Sequence, residues 1–566
     1  MIDNPQHISR RLVLPLLSLT FGLFMIWLWL PAASAQGQTY YVRPDGGSEV
    51  QCTGRVNAAY PGSGTAQPCA WDHPFRALPP GGSPRINGGD TLIIGSGSYM
   101  MGYGAPGADT CEAYGAWGCY MPPIPSGSNP ANPTRILGAG WDTRASPPPQ
   151  LWGTERAEII LNLTDASNVL VAWLEITDHS SCVEFHSGGL ACQRDNPPFG
   201  PWASRGIYAE DSANVHLRDL NIHGLASAGI HAGRLTDWTV ENVRIAGNGM
   251  VGWDGDLWEG SDSNAGTMTF RHWTVEWNGC GETYPGGQPI GCWAQSAGGY
   301  GDGVGTGETG ARWIIEDSAF LHNTSDGLDL LYTRLITSSI EIRRTIAEGN
   351  AGNQIKTTGP TLVENSIIVG NCGFFAGQTF THDVDHCRAQ GTALFLVLRP
   401  GNQITVTNNT LTSEGDCLVG AECDGNCNGS ESVRLRNNIF VGHNDFLQPF
   451  EKTCLAYQET FPSDPFNIDY SVIIDTKGNP CPGPHDLCGV LPGVVNASID
   501  AFDAHLLPNS RAIDAGSNAI CPTADYRWAG RPVDGDGNGS AICDIGAYEY
   551  RRVPRAGYLP LVWRDR

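Results

Sequence analysis

The sequence predicts an all-β solenoid, a parallel β-helix carrying disulfide-closed loop insertions. Three observations predict it: a strand phrase that recurs every roughly 20 to 30 residues, asparagines that close successive copies, and cysteines that fall in short-range pairs. The phrase occupies the chain between about Asn168 and Phe440. It reads Val215-His-Leu-Arg-Asp-Leu-Asn-Ile222, Trp238-Thr-Val-Glu-Asn-Val-Arg-Ile245, Met268-Thr-Phe-Arg-His-Trp-Thr-Val275, Trp313-Ile-Ile-Glu-Asp-Ser-Ala-Phe320, Ile340-Glu-Ile-Arg-Arg-Thr-Ile-Ala347 and Val433-Arg-Leu-Arg-Asn-Asn-Ile-Phe440. Period-two alternation rich in β-branched residues means strands with one buried face. The closing asparagines are Asn248, Asn278, Asn323, Asn350 and Asn371. Helical repeats do not fit this Gly- and Asn-rich pattern, and a propeller blade needs four strands per repeat. A coil of two or three short strands per turn fits, each turn burying its apolar side on the next. The asparagines are expected to act as scaffold, tolerating left-handed turns and hydrogen-bonding up the coil.

The N-terminus carries Arg10 and Arg11, an apolar run from Leu12 to Leu30 and then Ala33-Ser-Ala35, the pattern of an export signal. The mature chain is expected to start near Gln36; an uncleaved anchor is the other reading of the same run. All 18 cysteines lie beyond it, and in an exported chain they imply disulfides. The expected pairs are Cys52 with Cys69, Cys111 with Cys119, Cys182 with Cys192, Cys280 with Cys292, Cys372 with Cys387, Cys481 with Cys488, and Cys521 with Cys543. Cys417, Cys423, Cys427 and Cys454 supply two more bridges whose pairing stays open.

The net charge is -24, with 34 basic against 58 acidic residues, which argues against nucleic acid or an anionic membrane as partner. A secreted or cell-surface monomer is expected, with no membrane attachment once the signal is cleaved. The organisation expected is a signal at 1–35, an N-terminal cap and first coils at 36–160, the β-helix core at 161–480, a C-terminal module at 481–550 and an apolar tail at 551–566.

Aligning one strand of each turn gives Gly206-Ile-Tyr-Ala209, Gly229-Ile-His-Ala232, Asp302-Gly-Val-Gly305, Asp326-Gly-Leu-Asp329 and Asn353-Gln-Ile-Lys356. Ile207, Ile230, Val304, Leu328 and Ile355 then form an inward column, and Tyr208, His231, Gly305, Asp329 and Lys356 point outward. Asp302 and Asp326 share the position where the chain enters the strand; Asp254 and Asp256 belong to an intervening turn. Asp326 and Asp329 can meet at one ion only if the chain bends between them, which Gly327 permits. The expected result is a patch of acids beside one lysine, with Trp253, Trp258 and Trp293 as outward aromatics able to stack on sugars. Two further acidic segments, Thr381-His-Asp-Val-Asp-His386 and Asp534-Gly-Asp-Gly-Asn-Gly539, read as a solvated insertion and a carboxylate-stiffened turn.

Gly88-Gly-Asp-Thr-Leu-Ile-Ile-Gly-Ser-Gly-Ser-Tyr99 resembles the opening coil of secreted right-handed parallel β-helix proteins, and Asn509-Ser-Arg-Ala-Ile-Asp-Ala-Gly516 through Asp544-Ile-Gly-Ala-Tyr-Glu549 resembles a module appended to such proteins. Asp302, Ser325-Asp-Gly-Leu-Asp329 and Gly349-Asn-Ala-Gly-Asn-Gln-Ile-Lys356 together resemble the metal and base region of polysaccharide lyase family nine, the pectate lyase-like enzymes. That family has a second aspartate where this chain has Ser325. The resemblance implies Asp302, Asp326 and Asp329 as Ca2+ ligands and Lys356 as the base that cleaves a uronic-acid polymer, such as pectate, by β-elimination. An acidic polysaccharide is then the implied partner. A non-catalytic carbohydrate-binding or surface-display β-helix is the alternative. A polygalacturonase-like hydrolase is a further one, but no second acidic pair follows in the next turn.

Overall fold

The computed structural model describes residues 37–154, 157–184, 200, 202–257, 263–294, 300–335 and 338–552; the expected export signal, Cys192, Trp258 and all but the first two residues of the apolar tail lie outside them. Four of the six copies of the apolar phrase fold as two strands, while Val215–Ile222 and Trp238–Ile245 fall on the single strands Ala213–His223 and Thr239–Ala246. Arg312–Glu316 and Ala319–Leu321 are separated by a corner at Asp317, where φ is 52°. The same left-handed corner recurs at Arg344, Asn365, Asn408 and Asn437. Asparagine and aspartate adopt it readily because their short polar side chains bond locally. A third strand, Leu328–Asp329 in this coil, completes the turn.

Stacked coils pair in parallel at every line: Trp313 with Ile340, Phe320 with Ala347, Leu328 with Ile355. The chain is therefore a right-handed parallel β-helix, with one face built from ten strands running from Ala157–Asn162 to Cys454–Glu459. Among the described residues the only helical pieces are short 3-10 turns, and no helix is long and apolar enough to cross a membrane.

Aromatic rings fill the interior of the central coils. Phe270 stacks on Trp273 and Trp313 at centroid distances of 4.5 and 5.4 Å, and Trp253 packs edge-on against Phe270 at 5.6 Å. Each such ring contributes roughly 1.5–3 kcal/mol by leaving water. Trp253 was expected outside. It is register partner of Ile230 and Val304, so pleating points it inward, and it is 1% exposed. Trp293 is also buried, stacked on His382 of the following insertion at 5.5 Å.

The closing asparagines divide their expected roles. Asn248, Asn278, Asn323 and Asn350 form a buried ladder, each side-chain amide donating to the next carbonyl at 2.8–2.9 Å, and the last donates to Gln354. None of the four takes a left-handed conformation. The residue before each does: Gly247, Trp277, His322 and Gly349. Asn371 stands outside the ladder, and its side-chain oxygen is buried without a hydrogen bond.

Eight disulfides close among the described residues. Six of the expected local pairs form, and the four remaining cysteines resolve as Cys417–Cys454 and Cys423–Cys427. Cys182 is also disulfide-bonded.

After the coils, residues 512–550 lie along the outside as a strap. The corner residues meet it in succession. Asp317 accepts from the Trp528 indole at 3.0 Å, and the Arg344 guanidinium lies 3.7 Å over that ring. Asn365, Asn408 and Asn437 donate to the carbonyls of Ala524, Asp544 and Ser517 at 2.8, 3.0 and 3.1 Å. The strap loop at Asp534 is stiffened by its own carboxylate, which accepts from Gly537 and Gly539 amides at 2.7 and 2.9 Å.

Candidate functional site

The ten-strand face carries the aligned segments in the expected register. Tyr208, His231, Asp254, Gly305, Asp329 and Lys356 are successive lateral partners, so they form one outward column at about 4.8 Å per step. The column then continues beyond the expected residues through Phe395, Gly420 and Tyr457.

Three carboxylates converge beside Lys356 because each is pinned through one oxygen. Asp302 Oδ1 accepts from the Asp326 amide at 2.9 Å, Asp326 Oδ1 from the Asn353 amide at 2.7 Å, and Asp329 Oδ1 from the Leu331 amide at 2.9 Å. Two of the other oxygens meet the lysine: Lys356 Nζ donates to Asp326 Oδ2 at 2.6 Å and Asp329 Oδ2 at 3.3 Å. Asp326 precedes the strand Leu328–Asp329 rather than lying within it, so the bend needed for the two aspartates to meet is made. A glycine makes room on each side. A Cβ at Gly352 would sit 2.4 Å from Asp326 Oδ1, and Gly305 leaves the column bare beside Asp302 Oδ2.

The cluster is dry and overcharged. Asp302 and Asp326 are 4% and 1% exposed and Lys356 is 9% exposed. Burial, reinforced by the Asp326 and Asp329 charges, pushes the Asp302 carboxyl up to about 8. Burial likewise raises Asp329, against the pull of Lys356. Burial opposes the Lys356 charge, but the three carboxylates outweigh it and hold the ammonium above its usual range.

A hard divalent cation fits this donor set. One oxygen from each of Asp302, Asp326 and Asp329 lies within 4.8 Å of the others, which leaves a common point within reach of Ca2+ bonds of about 2.3–2.6 Å after small side-chain rotations. Asn353 adds a buried side-chain oxygen that has no hydrogen-bond partner. Asp254 and Asp256 are not brought into the cluster. Asp254 sits two steps away with Gly305 between, its pKa pushed up to about 6 by burial and its carboxylate 3.7 Å from His231 Nε2.

Two features were not anticipated. Asn353 clamps Asp326 Oδ1 with its side-chain amide as well as its backbone, at 3.1 and 2.7 Å. Arg388 brings a guanidinium nitrogen 3.3 Å from Ser325 Oγ and 4.0 Å from Asp326 Oδ2. The first opens an aligned segment, level with Asp302 and Asp326; the second lies on an irregular insertion with no register to read. A cleft of about 460 Å3 also opens on this face, five steps toward the N-terminus, lined by Tyr208, His231, Asn162 and Arg205. The carboxylate and lysine cluster lies outside it.

No protein-family model matches the sequence, and no curated protein matches it. Solved structures similar to this chain include the pectate lyase Pel9A, at 13% identity and a TM-score of 0.45 over 91% of this chain and 97% of that one. A rhamnogalacturonan lyase is similar at 12% identity and a TM-score of 0.39, over 88% and 96% of the two chains. An alginate lyase from Paenibacillus sp. str. FPU-7 is similar at 13% identity and a TM-score of 0.33, over 68% and 94%.

Proposed function

We propose that the protein is a secreted polysaccharide lyase of the family-nine kind, cleaving a uronic-acid polymer by β-elimination with Lys356 as base. One observation carries the reading: three backbone-pinned carboxylates converge, two of them on a single lysine, on an outward face left open by Gly305. In the reaction Lys356 Nζ takes the proton from the carbon beside the uronate carboxylate. The electron pair left behind forms a carbon–carbon double bond as the glycosidic oxygen departs. Asp302, Asp326 and Asp329 would hold Ca2+, which supplies positive charge to the substrate carboxylate as the carbanion develops. The carboxylates are also what keeps Nζ protonated, so the base becomes available only when their charge is compensated.

Absorbance near 235 nm, where unsaturated uronate products absorb, tests the reading on a panel of uronic-acid polymers with calcium and with chelator. The expected result is a calcium-dependent rise that Lys356→Ala abolishes. Reducing ends without absorbance would replace elimination by hydrolysis. A second reading, a non-catalytic carbohydrate-binding coil, is favoured by the closed ion pairs that Lys356 makes with Asp326 and Asp329; silence on every polymer would select it.

A further inference from the structure

The outward column does not stop at Lys356. Its next lateral neighbour is Phe395, followed by Gly420 and then Tyr457. Gly420 has no side chain where one would block its neighbours: a Cβ there would lie 2.5 Å from Tyr457 Cε1 and 2.9 Å from Phe395 Cδ2. The two rings therefore close over bare backbone, centroids 6.5 Å apart, and both remain partly open to solvent. They make an apolar platform that starts one step, about 5 Å, beyond the lysine and ends about 14 Å beyond it.

Arg388 stands on the other side of the lysine, its guanidinium reaching Ser325 and Asp326 in the preceding coil. Its side chain is 31% exposed, and the ion pair it makes among the described residues is the long one to Asp326 at 4.0 Å, so much of the guanidinium fork is free to bind. Its backbone is held. The Arg388 amide donates to Ala351 at 3.0 Å, Cys387 is bridged to Cys372, and Cys387, Ala389 and Gln390 all sit in the left-handed region at φ 55°, 49° and 75°. Three non-glycine residues in that conformation around one arginine are strain of the sort found at ligand clamps.

We infer that Arg388 on one side of Lys356, and Phe395 with Tyr457 on the other, form the two halves of a subsite for neighbouring residues of an acidic sugar polymer lying along the coil axis. The guanidinium takes the sugar carboxylate as a bidentate partner, and the rings pack against the apolar C–H faces of the sugars. The coil repeat is close to the rise of one pyranose in an extended chain, so a polymer aligned with the axis meets one column residue per sugar. The inference deepens the lyase reading and rests on it for the polymer's direction.

Calorimetric titration with a galacturonate hexamer and with its carboxyl-reduced neutral counterpart tests it, using Lys356→Ala protein in calcium so that nothing is turned over. The wild-type chain supplies KM and kcat in parallel. In both backgrounds Arg388→Ala is expected to weaken binding of the acidic hexamer about 10- to 100-fold while leaving the neutral one unchanged. Tyr457→Ala is expected to weaken both about two- to tenfold, and Arg388→Lys to recover part of the acidic loss. Cleavage at 235 nm with KM unchanged in Arg388→Ala and Tyr457→Ala would overturn the subsite and leave the lyase reading standing. Hexamer binding that weakens in these variants, with no cleavage by the wild type, would do the reverse. No hexamer binding by either background would overturn both.

Discussion

Replacing Lys356 by methionine removes the one ammonium that touches the buried carboxylates. It lies 2.6 Å from Asp326 Oδ2 and 3.3 Å from Asp329 Oδ2. At an effective dielectric constant of about 20 these contacts are worth about 6 and 5 kcal/mol before desolvation is counted. Most of that is offset by taking the charges out of water, and cutting one partner of such a buried network leaves a net loss of about 3–5 kcal/mol. Methionine keeps the volume and the inward packing of the strand, so the loss reports charge. Equilibrium unfolding of Lys356→Met and wild type, each in chelator and in calcium, measures it. The variant is expected to be less stable by that amount in chelator. It is also expected to gain more from calcium than the wild type does, because no ammonium competes for the Asp326 and Asp329 oxygens. A variant within about 1 kcal/mol of wild type in chelator, the range of an exposed pair, would refute the idea that the lysine neutralises a dry acidic cluster. Equal calcium gains would refute the ion site.

Other outcomes follow from the same geometry. Asn323→Ala interrupts the ladder, stranding both the backbone and the side-chain amide of Asn278, and is expected to cost about 3 kcal/mol in denaturant unfolding. Opening the Cys372–Cys387 bridge, 15 residues apart, with serine at both ends is expected to cost about 3 kcal/mol; KM should rise with it as Arg388 loses its anchor. His223 is clamped between Glu282 at 2.5 Å and Glu175 at 3.1 Å. Burial opposes its charge, but the two carboxylates prevail and push its pKa up to about 9. Since the folded value lies above the unfolded 6.5, the stabilisation is fully present below about pH 6.5 and is lost as pH rises through about 9. It amounts to about 3 kcal/mol. The stability gap between wild type and His223→Gln should therefore be widest near pH 6 and narrow at pH 9.5.

The inward column was legible because Ile207, Ile230, Leu328 and Ile355 alternate with polar neighbours, and a period of two has a single register that buries them. That register alone placed Asp329 beside Lys356. The pinning of each carboxylate by a backbone amide was not legible, since it depends on how the chain enters each strand, where no periodicity holds. Trp253 was misassigned for the same reason: in the run Gly252-Trp253-Asp254-Gly255 it shows no alternation of apolar residues, and only its pairing with Val304 reveals the side it faces. The ladder asparagines were recognised as scaffold, but the conformation attributed to them belongs to the residues just before. Arg388 carried no signal, because an insertion closed by a disulfide has no repeat to be compared with.

The strap over the coil corners has a consequence for how the molecule comes apart. A solenoid whose turns touch only their neighbours can fray from an end, one turn at a time, through partly open species. Here five successive corners, from Asp317 to Asn437, are fastened to one covalent segment that itself returns from beyond the last coil. None of those turns can leave without breaking its own hold on the segment, which ties it to the others. The turns bearing Asp326, Asp329 and Lys356 fall inside that span, so opening of this region is expected to be all-or-none, with amide exchange there slow and uniform rather than graded toward the C-terminal end.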